Sequence, residues 1–168
     1  MLTQDEKNYL EKIPTDKKVV VQPYDPKTPA IAKEFIKLIH SVDPDLIVIH
    51  LGASSLGISG QGDIDLSILC PRSNFETYQD KLSKVLGSNT QGVSVVEWHF
   101  ERNEHEVTIY LADPDEPSTA RQIKVQKILE ENCDLLKEYE DLKEKTALLG
   151  YREYQRQKYE FYNRILEN

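Results

Sequence analysis

The chain has 168 residues, with 21 Lys+Arg against 29 Asp+Glu, a net charge of −8 and a hydrophobic share of 39%. That length suits a single domain in the common range of ~100–200 residues, large enough to bury a core without disulfides or a structural metal. The acidic balance argues against a protein that grips duplex nucleic acid, which needs a basic excess to displace phosphate counterions, and no apolar run approaches the ~20 residues that cross a bilayer.

In chain order, residues 3–12 read as a short polar helix ended by Pro14, and Val19-Val20-Val21 is a short apolar run stopped by Pro23. Thr28 is expected to N-cap a helix with Pro29 at its first position, where a missing N–H costs nothing. Ile31, Phe35, Ile36 and Ile39 follow at helical spacing, up to Asp43-Pro44. Leu46–His50 is a β-branched apolar run of strand length. Next comes a Gly/Ser loop from Gly52 to Gly62 that holds four of the chain's 7 glycines. Asp63–Leu69 then alternates polar with apolar, as a strand with one buried face does. Ser73–Glu76 has the pattern of a capping box that opens a helix to about Leu86.

Val93–Phe100 and Glu106–Leu111 flank the polar segment Glu101–His105 and are expected to form a hairpin. After Pro114 and Pro117 the pattern is helical: Ile128, Leu129, Leu135, Leu136, Tyr139 and Leu142 keep steps of three and four, Gly150 interrupts, and Tyr154, Lys158, Phe161, Tyr162 and Ile165 resume. The fold class is therefore α/β over about 19–117, with a C-terminal helical segment over 118–168, in one domain. Residues 1–120 hold 11 basic and 19 acidic side chains, whereas 121–168 hold 10 of each. Cys70 and Cys133 form no CxxC pair, and the N-terminus has neither the basic start nor the apolar stretch of a signal peptide. A soluble, reduced, cytoplasmic protein is expected.

The chemistry centres on the Gly/Ser loop and the Asp-x-Asp that follows it. Side chains two apart on a strand share a face, so Asp63 and Asp65 would sit ~7 Å apart along it, with Ser67 beside them. Two carboxylates with no base between them repel unless a cation lies across them. Mg²⁺ suits such a pair because it takes one or two carboxylates together with water and phosphate oxygens. The loop could offer backbone N–H groups and the hydroxyls of Ser54 and Ser55 to a phosphate. The plainer alternatives are a solvated acidic strand face and a flexible connection. His50 and His105 could position a substrate or be structural, Lys143 and Lys158 could reach phosphates, and the tyrosines at helical spacing are read as packing.

Val21-Gln22-Pro23-Tyr24-Asp25-Pro26, then His50-Leu-Gly-Ala-Ser-Ser, and late in the chain Glu138–Lys143 and Tyr154 with Lys158 and Phe161, resemble the GrpB family of the nucleotidyltransferase-fold superfamily over about residues 19–166. The resemblance implies a nucleotidyltransferase-like mixed sheet packed with helices, and it implies substrate contacts from His50, Gly52, Ser54, Ser55, Lys143 and Lys158, with Asp65 as the retained acid; Gln61, at the place of the family's loop lysine, is a further expected contact. Three departures stand out. Gln61 and Gly62 replace a Lys-Pro, Asp63 replaces an apolar residue, and Thr108-Ile109-Tyr110 replaces a His-Leu-His.

Superfamily chemistry uses three carboxylates to hold metal against a triphosphate. Asp63 and Asp65 supply two, and Glu106, or Glu97 on the preceding strand, is the expected third. The expected function is Mg²⁺-dependent binding of a nucleotide or phosphorylated metabolite, with transfer to an unknown acceptor. A non-catalytic nucleotide- or coenzyme-binding module is the alternative, since the family's domain also occurs fused to a dephospho-coenzyme A kinase domain.

Overall fold

The computed structural model describes residues 1–167. The order is α1 (Gln4–Lys12), α2 (Thr28–Val42), β1 (Ile47–Leu51), α3 (Ala53–Leu56), β2 (Ile64–Leu69), α4 (Phe75–Leu86), β3 (Thr90–Gln91), β4 (Val95–Arg102), β5 (His105–Ala112), α5 (Pro117–Glu131), α6 (Cys133–Ala147) and α7 (Tyr151–Glu167). The sheet runs β1-β2-β5-β4-β3, with β2 and β5 parallel and the other pairs antiparallel. The expected α/β class and C-terminal helical segment are both observed.

The period-two pleat of the central strands divides the molecule. Ile64, Leu66 and Ile68 of β2 and Val107, Ile109 and Leu111 of β5 are fully buried on one face. There they pack with Ile31, Phe35 and Ile39 of α2 and with Phe75, Leu82 and Leu86 of α4. Trp98 of β4 joins this core and satisfies its indole N–H on the Gly87 carbonyl at 3.1 Å. Asp65, Ser67, Thr108 and Tyr110 alternate with those residues and must face the other way. On that side a second apolar cluster forms around Ile58, Val125, Leu129, Tyr139, Phe161 and Ile165, which belong to the loop and to helices α5 to α7.

Several local expectations are corrected. Thr28 does not cap α2 with its side chain: its hydroxyl instead donates to the Asp25 carbonyl at 2.8 Å, and the N-cap is Lys27. The Ser73–Glu76 box does not form, because a 3₁₀ turn at Arg72–Asn74 precedes α4 and places Asn74 at the cap. The Gly/Ser loop contains the single helical turn α3, and Gln22, just after the Val19–Val21 run, is joined to the loop by an isolated bridge with Gly60. The hairpin is tighter than expected. Asn103 and Glu104 alone turn it, both at positive φ (52° and 66°), as a two-residue primed turn requires. The C-terminal pattern also breaks once more than its spacing suggests, at Asn132, whose side chain accepts from the Leu135 N–H and caps α6. None of the helices of the described residues is long and apolar enough to cross a membrane.

Candidate functional site

A cavity of about 310 Å³ lies between the second face of the sheet and the C-terminal helices. Asp65, Ser67 and Tyr110 line it from the sheet, Gly52 from the end of β1, Gln122 and Gln126 from α5, and Tyr139, Lys158 and Tyr162 from α6 and α7. Register puts Asp65 beside Leu51 on one side and Thr108 on the other. Gly52 takes φ +83°, and a Cβ there would stand 3.5 Å from Asp65 Oδ2, so bare backbone lies against the carboxylate.

Burial, reinforced by repulsion from Asp63, raises the Asp65 carboxyl to about 7, although Lys158 and the Tyr110 hydroxyl oppose the rise. The Tyr110 hydroxyl donates to Asp65 Oδ1 at 3.4 Å, and its own ionisation is pushed up by burial and by the adjoining Asp65. Lys158 lies 5.6 Å over the Tyr162 ring. Its pKa is raised by Tyr162, Tyr154, Asp65 and Asp63 against the cost of desolvation, so it remains an ammonium at neutral pH. The Tyr162 and Tyr139 hydroxyls bond at 2.8 Å and join α6 to α7 at the cavity wall.

The other expected site residues are distributed differently. His50 is in register with Leu66, so it faces the α2 side of the sheet, where its Nε2 meets Ser54 Oγ at 3.0 Å. Burial lowers the His50 pKa. Both residues thus lie away from Asp65. Gln61 is exposed and offers its carbonyl to Gln22 Nε2 at 3.0 Å. Lys143 is 1% exposed and donates to the Ser59 carbonyl, outside the cavity lining. Burial and then repulsion from Lys158 lower the Lys143 pKa to about 8, partly offset by Glu140, Asp63 and Glu144. Ser55 is outside the cavity lining, and its hydroxyl donates to the Gly52 carbonyl at 2.9 Å. Glu106 is exposed, and Glu97 bonds His99 at 3.0 Å. Among the described residues no three His, Cys, Asp or Glu side chains gather so as to hold a metal ion. Asp63 lies outside the cavity lining but close enough to Asp65 to repel its charge, and these two carboxylates are the residues that would hold a divalent cation.

Three fastenings of the loop escape sequence reasoning. The first is Gln126, whose Oε1 accepts from Gly52 N–H at 3.1 Å while its Nε2 donates to Ser55 Oγ and to Glu130 Oε1, both at 2.8 Å. A second comes from α6, where Glu140 accepts from Ser59 N–H at 2.7 Å and Glu144 from the Ser59 hydroxyl at 2.9 Å. The third is His105, whose Nδ1 meets the Gly62 carbonyl at 2.7 Å and whose Nε2 meets Asp25 Oδ2 at 3.0 Å. A carbonyl and a carboxylate both only accept, so both ring nitrogens donate and the ring is an imidazolium. Its pKa is raised by the Gly62 carbonyl and by Asp25. The Asp25 of the Pro-Tyr-Asp-Pro segment thus helps to fix the backbone immediately before Asp63.

A mixed sheet with one face packed on two helices, and a small cleft between its other face and three C-terminal helices, defines an α/β domain with a cleft on one side of the sheet. The GrpB protein family model matches residues 18–168, and the chain belongs to the GrpB family. The crystal structure of conserved protein GrpB from Enterococcus faecalis is similar at TM-score 0.65 and 15% identity, over 88% of this chain and 98% of that one. Two structures of Cid1 follow at TM-score 0.47, one described by its RNA terminal uridylyl transferase activity (12% identity) and one a poly(U) polymerase bound to MgGTP (10% identity). This chain spans about half of each, 48% and 49%. No curated protein matches the chain.

Proposed function

We propose that the cleft binds a nucleotide or phosphorylated metabolite in the cytoplasm, with Lys158 contacting phosphate and Mg²⁺ held by Asp63 and Asp65. The observation that carries this reading is the ammonium of Lys158 set against Asp65 on the wall of the cavity, a charge arrangement with no packing purpose. When bound, the metal would polarise a phosphate oxygen and screen the two carboxylates from each other. The chain's own groups orient the ligand: Tyr110 holds Asp65, the Tyr139–Tyr162 pair fixes the ceiling, and the bare Gly52 backbone permits close approach.

Nucleotidyl transfer to an acceptor is the second reading, favoured by the paired carboxylates of Asp65 on β2 and Asp63, which lies just before the strand rather than on it as its spacing suggests. It needs a third carboxylate, for which Glu106 is the candidate on the same face of β5. Calorimetric titration of Mg²⁺ and a nucleotide panel tests the binding reading, and wild-type protein that binds none of them under folded conditions removes it. Pyrophosphate release and product formation lost in both Asp65→Asn and Glu106→Gln would establish transfer. Tight binding without turnover leaves the binding module.

A further inference from the structure

Charge and hydrogen-bonding capacity in the cleft restrict the number of phosphates it can accept. Lys158 is the sole cation lining the cavity among the described residues. The other basic side chain of the region, Lys143, is committed to the Ser59 carbonyl and lies outside the lining. The nearby arginines are committed too: Arg121 pairs with Glu6 at 2.8 Å, and Arg156 with Glu153 and Glu160.

The start of the glycine-rich loop does not make up the deficit. Gly52 N–H already bonds Gln126 Oε1, and the Ser55 hydroxyl already donates to the Gly52 carbonyl, so the turn after β1 has neither donor free for a phosphate oxygen. Asp63 and Asp65, when both ionised, carry as much negative charge as one Mg²⁺ supplies, so the metal leaves no surplus for a longer phosphate chain. A phosphate monoester carries roughly −1.5 to −2 at neutral pH, and each added phosphate increases the charge against the same single ammonium. The cavity of about 310 Å³ is also at the small end of ligand sites, which run ~300–1,000 Å³. Its exposed rim is neutral and polar, with Ser118 and Gln122, groups that can bond ligand hydroxyls and base edges.

We infer that the cleft selects a singly phosphorylated ligand, of the nucleoside monophosphate class, over di- and triphosphates. The inference rests on the binding reading above and narrows it. It separates this chain from any reaction in which a triphosphate must seat its full phosphate chain in the cavity.

The test is titration of adenosine, guanosine, cytidine and uridine and their 5′-mono-, di- and triphosphates, by calorimetry or ligand-observed NMR, with and without Mg²⁺. For at least one base the monophosphate should bind about tenfold or more tighter than both its nucleoside and its triphosphate, a difference of about 1.4 kcal/mol or more. Lys158→Met should reduce monophosphate affinity to that of the nucleoside. Because that change is made among packed tyrosines, Ser118→Lys provides a second arm. Ser118 is exposed at the rim, and a cation there should bring the di- and triphosphates up toward the monophosphate. Triphosphates that bind wild type as tightly as monophosphates, or unchanged selectivity in Ser118→Lys, overturn the inference and leave the binding reading standing. Failure of every probe to bind overturns both.

Discussion

Asp65 gives the sharpest test of the site's physics, because the group proposed to serve the ligand should cost the fold stability. Burial and the neighbouring Asp63 raise its carboxyl from its ordinary 3.8 to about 7. At ~1.4 kcal/mol for each tenfold in proton affinity, ionising it in the folded protein costs about 4 kcal/mol. Part of the side chain faces the open cleft, so about 2 kcal/mol is the more realistic magnitude. The sign follows from proton counts. Between about pH 4 and 7 the folded state holds a proton that the unfolded chain has released, so this group's contribution falls as pH rises through that window and is at its least favourable above it.

Asp65→Asn keeps the shape and the acceptor for the Tyr110 hydroxyl while removing the charge. In metal-free protein it should therefore raise unfolding stability by about 2 kcal/mol at pH 8 and change it little at pH 4. Urea denaturation at the two pH values measures both numbers. Adding Mg²⁺ should stabilise wild type by mass action and leave Asp65→Asn nearly unmoved. A variant less stable than wild type at pH 8, or one with the same gain at both pH values, would refute the assignment of Asp65 as a carboxylate whose burial outweighs its attraction to Lys158.

The loop supplies three further tests. Gly60→Ala places a Cβ 2.5 Å from Ala53 Cβ and should cost about 1–3 kcal/mol by overpacking. Gly57→Ala, at φ +70° with no atom within 4 Å, should cost only its backbone strain, about 1 kcal/mol, and equal losses in urea melts would refute the contact. His105 has a raised pKa, so its contribution is complete below its ordinary 6.5 and is lost as pH rises through the folded value. The stability gap between wild type and His105→Gln should accordingly narrow on the alkaline side, and a gap independent of pH would refute the imidazolium. Lys143 runs the other way: with a folded value of about 8 against an ordinary 10.5, the unfolded chain holds the extra proton between them. Stability from this group should rise by up to ~1.4 kcal/mol per pH step above pH 8, and Lys143→Met should flatten that rise.

What is legible in the sequence follows from which signals are local. The alternation Ile64, Leu66, Ile68 specifies both the existence and the parity of β2, so the pattern alone assigns Asp65 and Ser67 to one face. β1 is a continuous apolar run with no such parity. Its pattern therefore gives His50 no side, and register with Leu66 turns that residue away from the cleft. Gly150 is legible as a break, whereas Asn132 is not, because apolar spacing of three and four continues across it and only the cap geometry reveals the stop. Thr3 and Glu6 do form a capping box, and that T-x-x-E spacing is readable in the sequence. Gln126 is illegible for a different reason. A glutamine on a helix reads as solvated surface, and it is buried here only because α5 lies against Gly52, 74 residues earlier.

The same long-range contacts explain how a glycine- and serine-rich loop can be a rigid part of the site. Gln126 holds its start, Glu140 and Glu144 hold Ser59, and His105 with Asp25 holds Gly62 just before Asp63. Each anchor comes from a different element, so the loop's ordering entropy is met in folding rather than in binding, which is the condition for a ligand to be held tightly by few contacts. The burial that fixes the loop also desolvates Asp65 and Lys143 and drives both toward their neutral forms, one upward and one downward. Rigidity and destabilised charge therefore have a common origin in the packing of α5 and α6 over the sheet. A substitution that loosens that packing, such as Gln126→Ala, should relax the Asp65 pKa toward its ordinary value and weaken ligand binding together. NMR titration of the Asp65 carboxyl in that variant, with a pKa still near 7, would separate the two effects and sink the common origin.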